Sequence, residues 1–260
     1  MAPGRAPGPA GSPAWDDEGA GVREVAWKDA WEGTWFDACA QAEMTAWRGV
    51  EGQAQVATWR LVDSRDEHEA LEAMLEASKP PLPAGAERLH YLLSTPLRYT
   101  SPYASRFRRG HEAGIWYGAE SVETVCAELA YWRHRFILDS VGLAKDEAGL
   151  LTTHTLFQAR VCGTALILDE PPWDACRAQW THGADYTSTQ RVAAQARGKG
   201  IEWIRYESVR CPGTRCAAVL SPLALASHAP FGFQEWICSA TRSRVILTTK
   251  DRAAAFSWDF

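Results

Sequence analysis

From residue 90 onward the chain is a succession of short apolar, β-prone segments separated by turn residues, with few helices between them. That pattern constrains the fold more than any other feature. It predicts a mixed α+β class, because a doubly wound parallel sheet would place a helix after nearly every strand. Segments 90–93, 114–119, 153–162, 165–168, 201–206, 217–220, 233–238 and 245–249 read as strands. Ser121 can cap a helix from Val122 to about Phe136, and Ser188 one that stops at Gly198 or Gly200. No GxGxxG follows a strand, and neither GxxxxGKS/T nor GxSxG occurs. Rossmann, P-loop and nucleophile-elbow chemistry are therefore unsupported.

The first third differs in character. Residues 1–20 are Pro, Gly and Ala followed by acids, a composition that cannot build a core and predicts a disordered tail. Residues 22–48 space Val22, Val25, Ala26, Trp31, Trp35 and Phe36 in a loosely helical way, which predicts a helix with an aromatic stripe. Residues 54–62 suit a strand. Ser64 and Glu67 form a capping box ahead of a helix to about Ala77, closed off by Pro80 and Pro81. The expected organisation is a tail (1–20), a mainly helical N-terminal extension (21–85) and a strand-rich domain (86–260).

At 260 residues the chain can bury a sizeable core. No run approaches the roughly 18 apolar residues of a membrane span, so no membrane association is expected. Charge is uneven: residues 1–80 carry 7 basic and 15 acidic side chains, the remainder 20 and 17. A net charge of −5 argues against direct nucleic-acid binding. Five Arg (Arg88, Arg98, Arg106, Arg108, Arg109) nevertheless fall between Glu87 and Gly110, with Glu87 the only acid. They suit either a solvated basic loop or an anion site, since a guanidinium fork matches phosphate oxygens. Seven Cys, without a CxxC pair or a secretory signal, predict reduced thiols and a cytoplasmic setting. The seven His lack HExxH spacing, so no metal site is expected. The complete lack of Asn excludes a Cys-His-Asn triad.

Three segments carry the chemistry: Thr95-Pro96-Leu97-Arg98-Tyr99 running on to Ser105-Arg106-Phe107, Gly114-Ile115-Trp116-Tyr117, and Thr124-Val125-Cys126-Ala127-Glu128-Leu129. A fourth, Ile204-Arg205-Tyr206-Glu207-Ser208-Val209-Arg210, lies about 80 residues on. In this order they resemble the RES-domain family, named for an Arg, a Glu and a Ser, over residues 89–216. The resemblance implies a toxin of a bacterial toxin–antitoxin pair, with a fold similar to ADP-ribosyltransferases of the diphtheria-toxin type. It implies consumption of NAD by phosphorolysis or hydrolysis, with inorganic phosphate as a co-substrate in the first case and no permanently bound cofactor. The implied partner is an Xre-type helix-turn-helix antitoxin; a homodimer is left open. Transfer of ADP-ribose to a protein and a non-catalytic binding module are the alternatives.

By position, Arg98 matches the first family Arg, Arg106 the second, Tyr117 the strand Tyr, Glu128 the helix Glu and Ser208 the late Ser. The family's common Gly-Gly-Arg-Trp-Asn is replaced here by Ala104-Ser105-Arg106-Phe107-Arg108. Glu128 and Arg98 are thus expected to be catalytic, and Arg106, Tyr117, Ser208, Tyr99 and Arg210 to bind NAD or phosphate. The residues allow these roles independently. Cleaving the nicotinamide–ribose bond develops positive charge on the sugar, which a carboxylate stabilises. On a helix from Val122, Glu128 falls at the margin of the apolar stripe, beside Tyr131 and Trp132. A solvated surface Glu is the plainer alternative. Trp116 and Tyr117 point to opposite faces of a strand, so one belongs to the core and the other can face a ligand. Arg108 and Arg109 are read as surface residues pairing with Glu112 or Glu120. Ser208 suits either a ligand-binding hydroxyl or an ordinary turn.

Overall fold

The computed structural model describes residues 34–52, 61–143 and 149–260. The expected tail lies outside the described residues, as do residues 22–33 of the expected first helix and most of the expected strand at 54–62. The fold is mixed α+β and strand-rich, as the segment pattern predicts. Eight strands form one sheet: β1 (Ala40–Glu51), β2 (Trp116–Ala119), β3 (Leu150–Ile167), β4 (Trp203–Glu207), β5 (Arg215–Val219), β6 (Phe231–Ala240), β7 (Arg244–Thr249) and β8 (Ala255–Asp259). Their order is β1-β2-β5-β4-β3-β6-β7-β8, and β1 also pairs with β3. The second pairing closes β1, β2, β5, β4 and the C-terminal part of β3 into a ring, while β6, β7 and β8 continue from the N-terminal part of β3. All pairings are antiparallel except β3–β4.

The long β3 makes this arrangement possible. Along one edge it pairs with β1 from Ala40↔Ala165 to Glu51↔His154. Along the other it serves β6 through Leu150–Gln158 and β4 through Ala165–Ile167. The two strands expected at 153–162 and 165–168 are therefore one, bent at Gly163. There φ is 151°, and a Cβ would stand 2.3 Å from Glu202 Oε2. Glu202 uses that oxygen to accept from the Thr164 N–H at 2.7 Å. Glycine bends the strand where another residue would clash.

Five helices accompany the sheet: α1 (Arg65–Ser78), α2 (Tyr91–Arg98), α3 (Val122–Asp139), α4 (Arg177–Trp180) and α5 (Thr187–Gly198). The Ser64 hydroxyl accepts from Glu67 N–H at 3.2 Å, the forward half of the expected capping box, while the Glu67 carboxylate accepts from the N–H of Asp63, one residue before the N-cap, at 2.9 Å. Ser121 caps α3 through the Thr124 N–H. Ser188 instead sits inside α5, whose N-cap is Tyr186.

Two expectations need correction. The segment 90–93 opens α2, because Leu93 and Leu97 are one helical turn apart and both bury against the second core cluster. The described part of the expected helix at 22–48 is a short 3-10 turn (Thr34–Ala38) followed by β1. Gln41, Glu43 and Thr45 alternate with Ala42, Met44 and Ala46, a period of two that outweighs the helical spacing of the tryptophans upstream.

The sheet separates two apolar clusters. One gathers Trp116, Phe157, Val161, Trp203 and Val219 with Leu93 and Leu97 of α2. The other joins Val125, Cys126, Ala130 and Ile137 of α3 to Leu156, Trp173, Trp180, Trp236 and Leu247. Ile137, not Phe136, completes the α3 stripe; Phe136 is exposed. The seven cysteines are all free thiols.

Candidate active site

α3 crosses the sheet beside β1 and β2, and a cavity of about 290 Å³ lies between them. Glu128 enters it from α3, Tyr117 from β2, Arg106 from the loop ahead of β2, and Arg210 from the turn after β4. Burial pushes the Glu128 carboxyl above its ordinary range, while the Ser208 hydroxyl and the Arg210 and Arg106 guanidiniums pull it down less strongly. Ser208 donates to Glu128 Oε1 at 2.9 Å. Its oxygen also accepts from the N–H groups of Arg210 (3.2 Å) and Cys211 (3.1 Å). The hydroxyl is fully buried and committed, so Ser208 orients the carboxylate and is not free for a ribose or phosphate.

The two arginines are anchored from behind. Arg106 donates through Nη1 to the carbonyls of Trp180 (3.0 Å) and His182 (2.9 Å), and its guanidinium lies 4.8 Å from the Tyr186 ring centre. Arg210 donates to the Gly183 carbonyl at 3.0 Å and stacks 3.4 Å from the Tyr131 ring centre. Neither forms an ion pair with a carboxylate among the described residues. With Glu128 ionised, these three side chains leave the cavity with a net positive charge, suited to an anionic ligand. Tyr117 OH contacts Ser105 Oγ at 2.9 Å and accepts from Phe107 N–H at 3.2 Å, fixing the loop that carries Arg106. Trp116 points into the core, so the two faces of β2 divide as the alternation predicts.

Arg98 and Tyr99 do not reach the cavity. Arg98 ends α2, where Nη1 binds Glu76 of α1 at 2.8 Å and Nε donates to the Pro80 carbonyl. The structure does not bring Arg98, expected to be catalytic, together with Glu128: the side chain ties α1 and its following turn to the domain. Arg98→Ala is accordingly expected to cost about 1 kcal/mol of stability, because Glu76 is mostly exposed. Denaturation of the variant and wild type side by side checks this. Arg108 also departs from expectation. It is buried and donates to the carbonyls of Ser101 (3.2 Å) and Tyr103 (2.7 Å), stapling the loop. Arg109 does approach Glu112, at 3.9 Å.

Several lining residues were given no site role by the sequence, although Tyr206 lies in a segment that carries the resemblance and Trp132 flanks Glu128. Trp47, Arg48 and Gly49 come from β1, and Tyr186, Tyr206 and Trp132 complete the wall. Trp47 stands opposite Ala119 in the only register pair between β1 and β2. Arg48 reinforces that thin junction: its Nη1 donates to the Tyr117 carbonyl at 2.7 Å, and its guanidinium lies 5.6 Å from the Trp116 ring centre. Burial pushes Arg48 down to about 10, so it stays charged at neutral pH. The polar–apolar alternation of 41–46 was the available signal for this strand, but nothing local says that it closes a ring.

The crystal structure of the M. tuberculosis MbcT–MbcA toxin–antitoxin complex aligns at 12% identity with a TM-score of 0.46, covering 80% of this chain and 91% of that one. No curated protein matches in sequence. The RES domain family matches residues 82–240, which span the loop of Arg106, Tyr117, the α3 carboxylate and the Ser208 turn. The chain belongs to the RES domain family.

Proposed function

We propose that this protein cleaves the nicotinamide–ribose bond of NAD and acts as the toxin of a toxin–antitoxin pair in the cytoplasm. The observation that carries the reading is Glu128, a carboxylate held by Ser208 in a cavity flanked by Arg106 and Arg210. As the bond breaks, nicotinamide leaves with the bonding pair and positive charge grows on the ribose. A buried carboxylate stabilises that charge more strongly than one in water. Arg106 and Arg210, already anchored to backbone carbonyls, offer their remaining N–H groups to the pyrophosphate. An incoming oxygen of water or inorganic phosphate completes the exchange and releases its proton. The strand-rich architecture accords with the likeness to ADP-ribosyltransferases that the family resemblance implies. An Xre-type antitoxin is the partner expected by the same resemblance.

The test is to incubate the protein with NAD, with and without inorganic phosphate, and identify the products. ADP-ribose-1-phosphate formed only with phosphate means phosphorolysis; ADP-ribose in both means hydrolysis. Label retained on protein means transfer. Intact NAD in every arm would overturn the reading.

Ser208→Ala supplies a finer check. The hydroxyl favours the ionised form of Glu128, so its loss raises the carboxyl further and moves the acid limb of the rate profile to higher pH. Turnover at neutral pH is expected to fall about 10- to 100-fold, the worth of one hydrogen bond to a charged group. An unmoved acid limb would mean that Ser208 serves only the fold.

A further inference from the structure

Trp132 is the large aromatic residue in the cavity wall that the protein leaves uncovered. It lies four residues after Glu128, one turn along α3 on the same face. Its side chain lines the same cavity, yet the residue is 53% exposed. A tryptophan left this open at the mouth of a pocket sacrifices burial that folding would normally use. Its orientation is nonetheless fixed. The Tyr131 ring meets it edge-on at 5.2 Å and 79°, and Tyr131 is covered on its own face by Arg210. Trp47 of β1 lines the same cavity with a second, half-buried indole. The lining around Glu128 thus combines the guanidiniums of Arg106 and Arg210 with the flat indoles of Trp132 and Trp47.

We propose that Trp132, with Trp47 facing the same space, is the platform on which the leaving nicotinamide ring stacks. The inference rests on the reading of Glu128 as the carboxylate beside the bond that breaks. The group attached to the reacting carbon must sit within about one helical turn of that carboxylate, and Trp132 stands at that distance along α3. A planar, electron-poor pyridinium is well matched to an indole face, which attracts cationic and flat partners. Once the bond breaks the ring becomes neutral and loses the cationic part of this attraction, which favours its release. Trp132 is thus a positioning and specificity residue, selecting flat aromatic leaving groups while the arginines hold the anionic part of the substrate.

The experiment compares wild type, Trp132→Ala and Trp132→Phe by calorimetry with two probes, nicotinamide and ADP-ribose, and by NAD turnover. Trp132→Ala should weaken nicotinamide binding about 5- to 100-fold, the range for loss of one stacking partner. It should raise KM for NAD with a smaller change in kcat and leave ADP-ribose binding within about twofold. Trp132→Phe should restore most of the nicotinamide affinity. Because the residue is exposed, neither variant should shift the melting temperature appreciably. Unchanged nicotinamide binding in Trp132→Ala, equal weakening of both probes, or no nicotinamide binding by wild type would each overturn the proposal. Wild type that binds nicotinamide through Trp132 but leaves NAD intact would sink the cleavage reading and spare the platform.

Discussion

Glu128→Gln is expected to lower NAD cleavage by at least about 10³-fold while leaving the fold intact, a loss of the size seen when a preorganised charge-stabilising group is removed. Gln keeps the shape and can still accept from Ser208, so the substitution removes charge and little else. The same change should stabilise the protein at neutral pH. Burial raises the folded carboxyl of Glu128 above its unfolded value, so the folded state holds its proton to higher pH. Stability therefore falls as pH rises from the unfolded value through the folded one, and above that window the full cost of a buried carboxylate is borne. Gln never ionises. Its melting temperature should match wild type in acid and exceed it at pH 7, by about 2–4 °C for each kcal/mol relieved. The acid limb of wild-type turnover should likewise lie above the range of an ordinary glutamate. Melting curves at pH 4 and pH 7 together with a rate profile check both claims; equal melting at both pH values would refute the burial cost.

Trp203→Ala is expected to cost about 3–5 kcal/mol. Trp203 is completely buried in β4, with Ala165 on one side and Val219 on the other, and it packs in the cluster that includes Trp116. Its indole N–H donates to the Gly163 carbonyl at 3.2 Å, at the bend of β3. Truncation leaves a cavity inside the strand ring and strips a carbonyl of its donor, two costs that add. Trp203→Phe retains most of the volume and should lose roughly half as much. Urea denaturation of the three proteins decides the matter, and a Trp203→Ala loss below about 1.5 kcal/mol would show that the ring collapses onto the gap.

The sequence made α3 and its cap legible because Ser121, the apolar spacing and Glu128 lie within one short window. Alternation put Trp116 and Tyr117 on opposite faces of β2 but did not say which of them is core. The direction of Arg98 was not legible, since helix-terminal placement of an arginine cannot show whether it turns inward to a cavity or outward to Glu76. β1 was misread for a related reason. Its strand character depends on a partner far along the chain, and the tryptophans before it mimic a helical face. Trp47 and Trp132 share one cavity, although nothing in either local segment refers to the other.

The β1–β3 pairing has a consequence in time. Gln41 and Thr164 bond across 123 residues, so β1 is made long before its partner exists. At about 5–20 residues per second, the interval on a ribosome is roughly 6–25 s. The ring closes later still, once β4 and β5 have followed. Contacts this distant in sequence form slowly, because the intervening chain must be gathered first. Until then β1 has no edge to bind, Trp47 has no cavity to face, and an incomplete chain carries α3 without a pocket around Glu128. Cleavage activity should thus arise only on chains extended past β5, and abruptly.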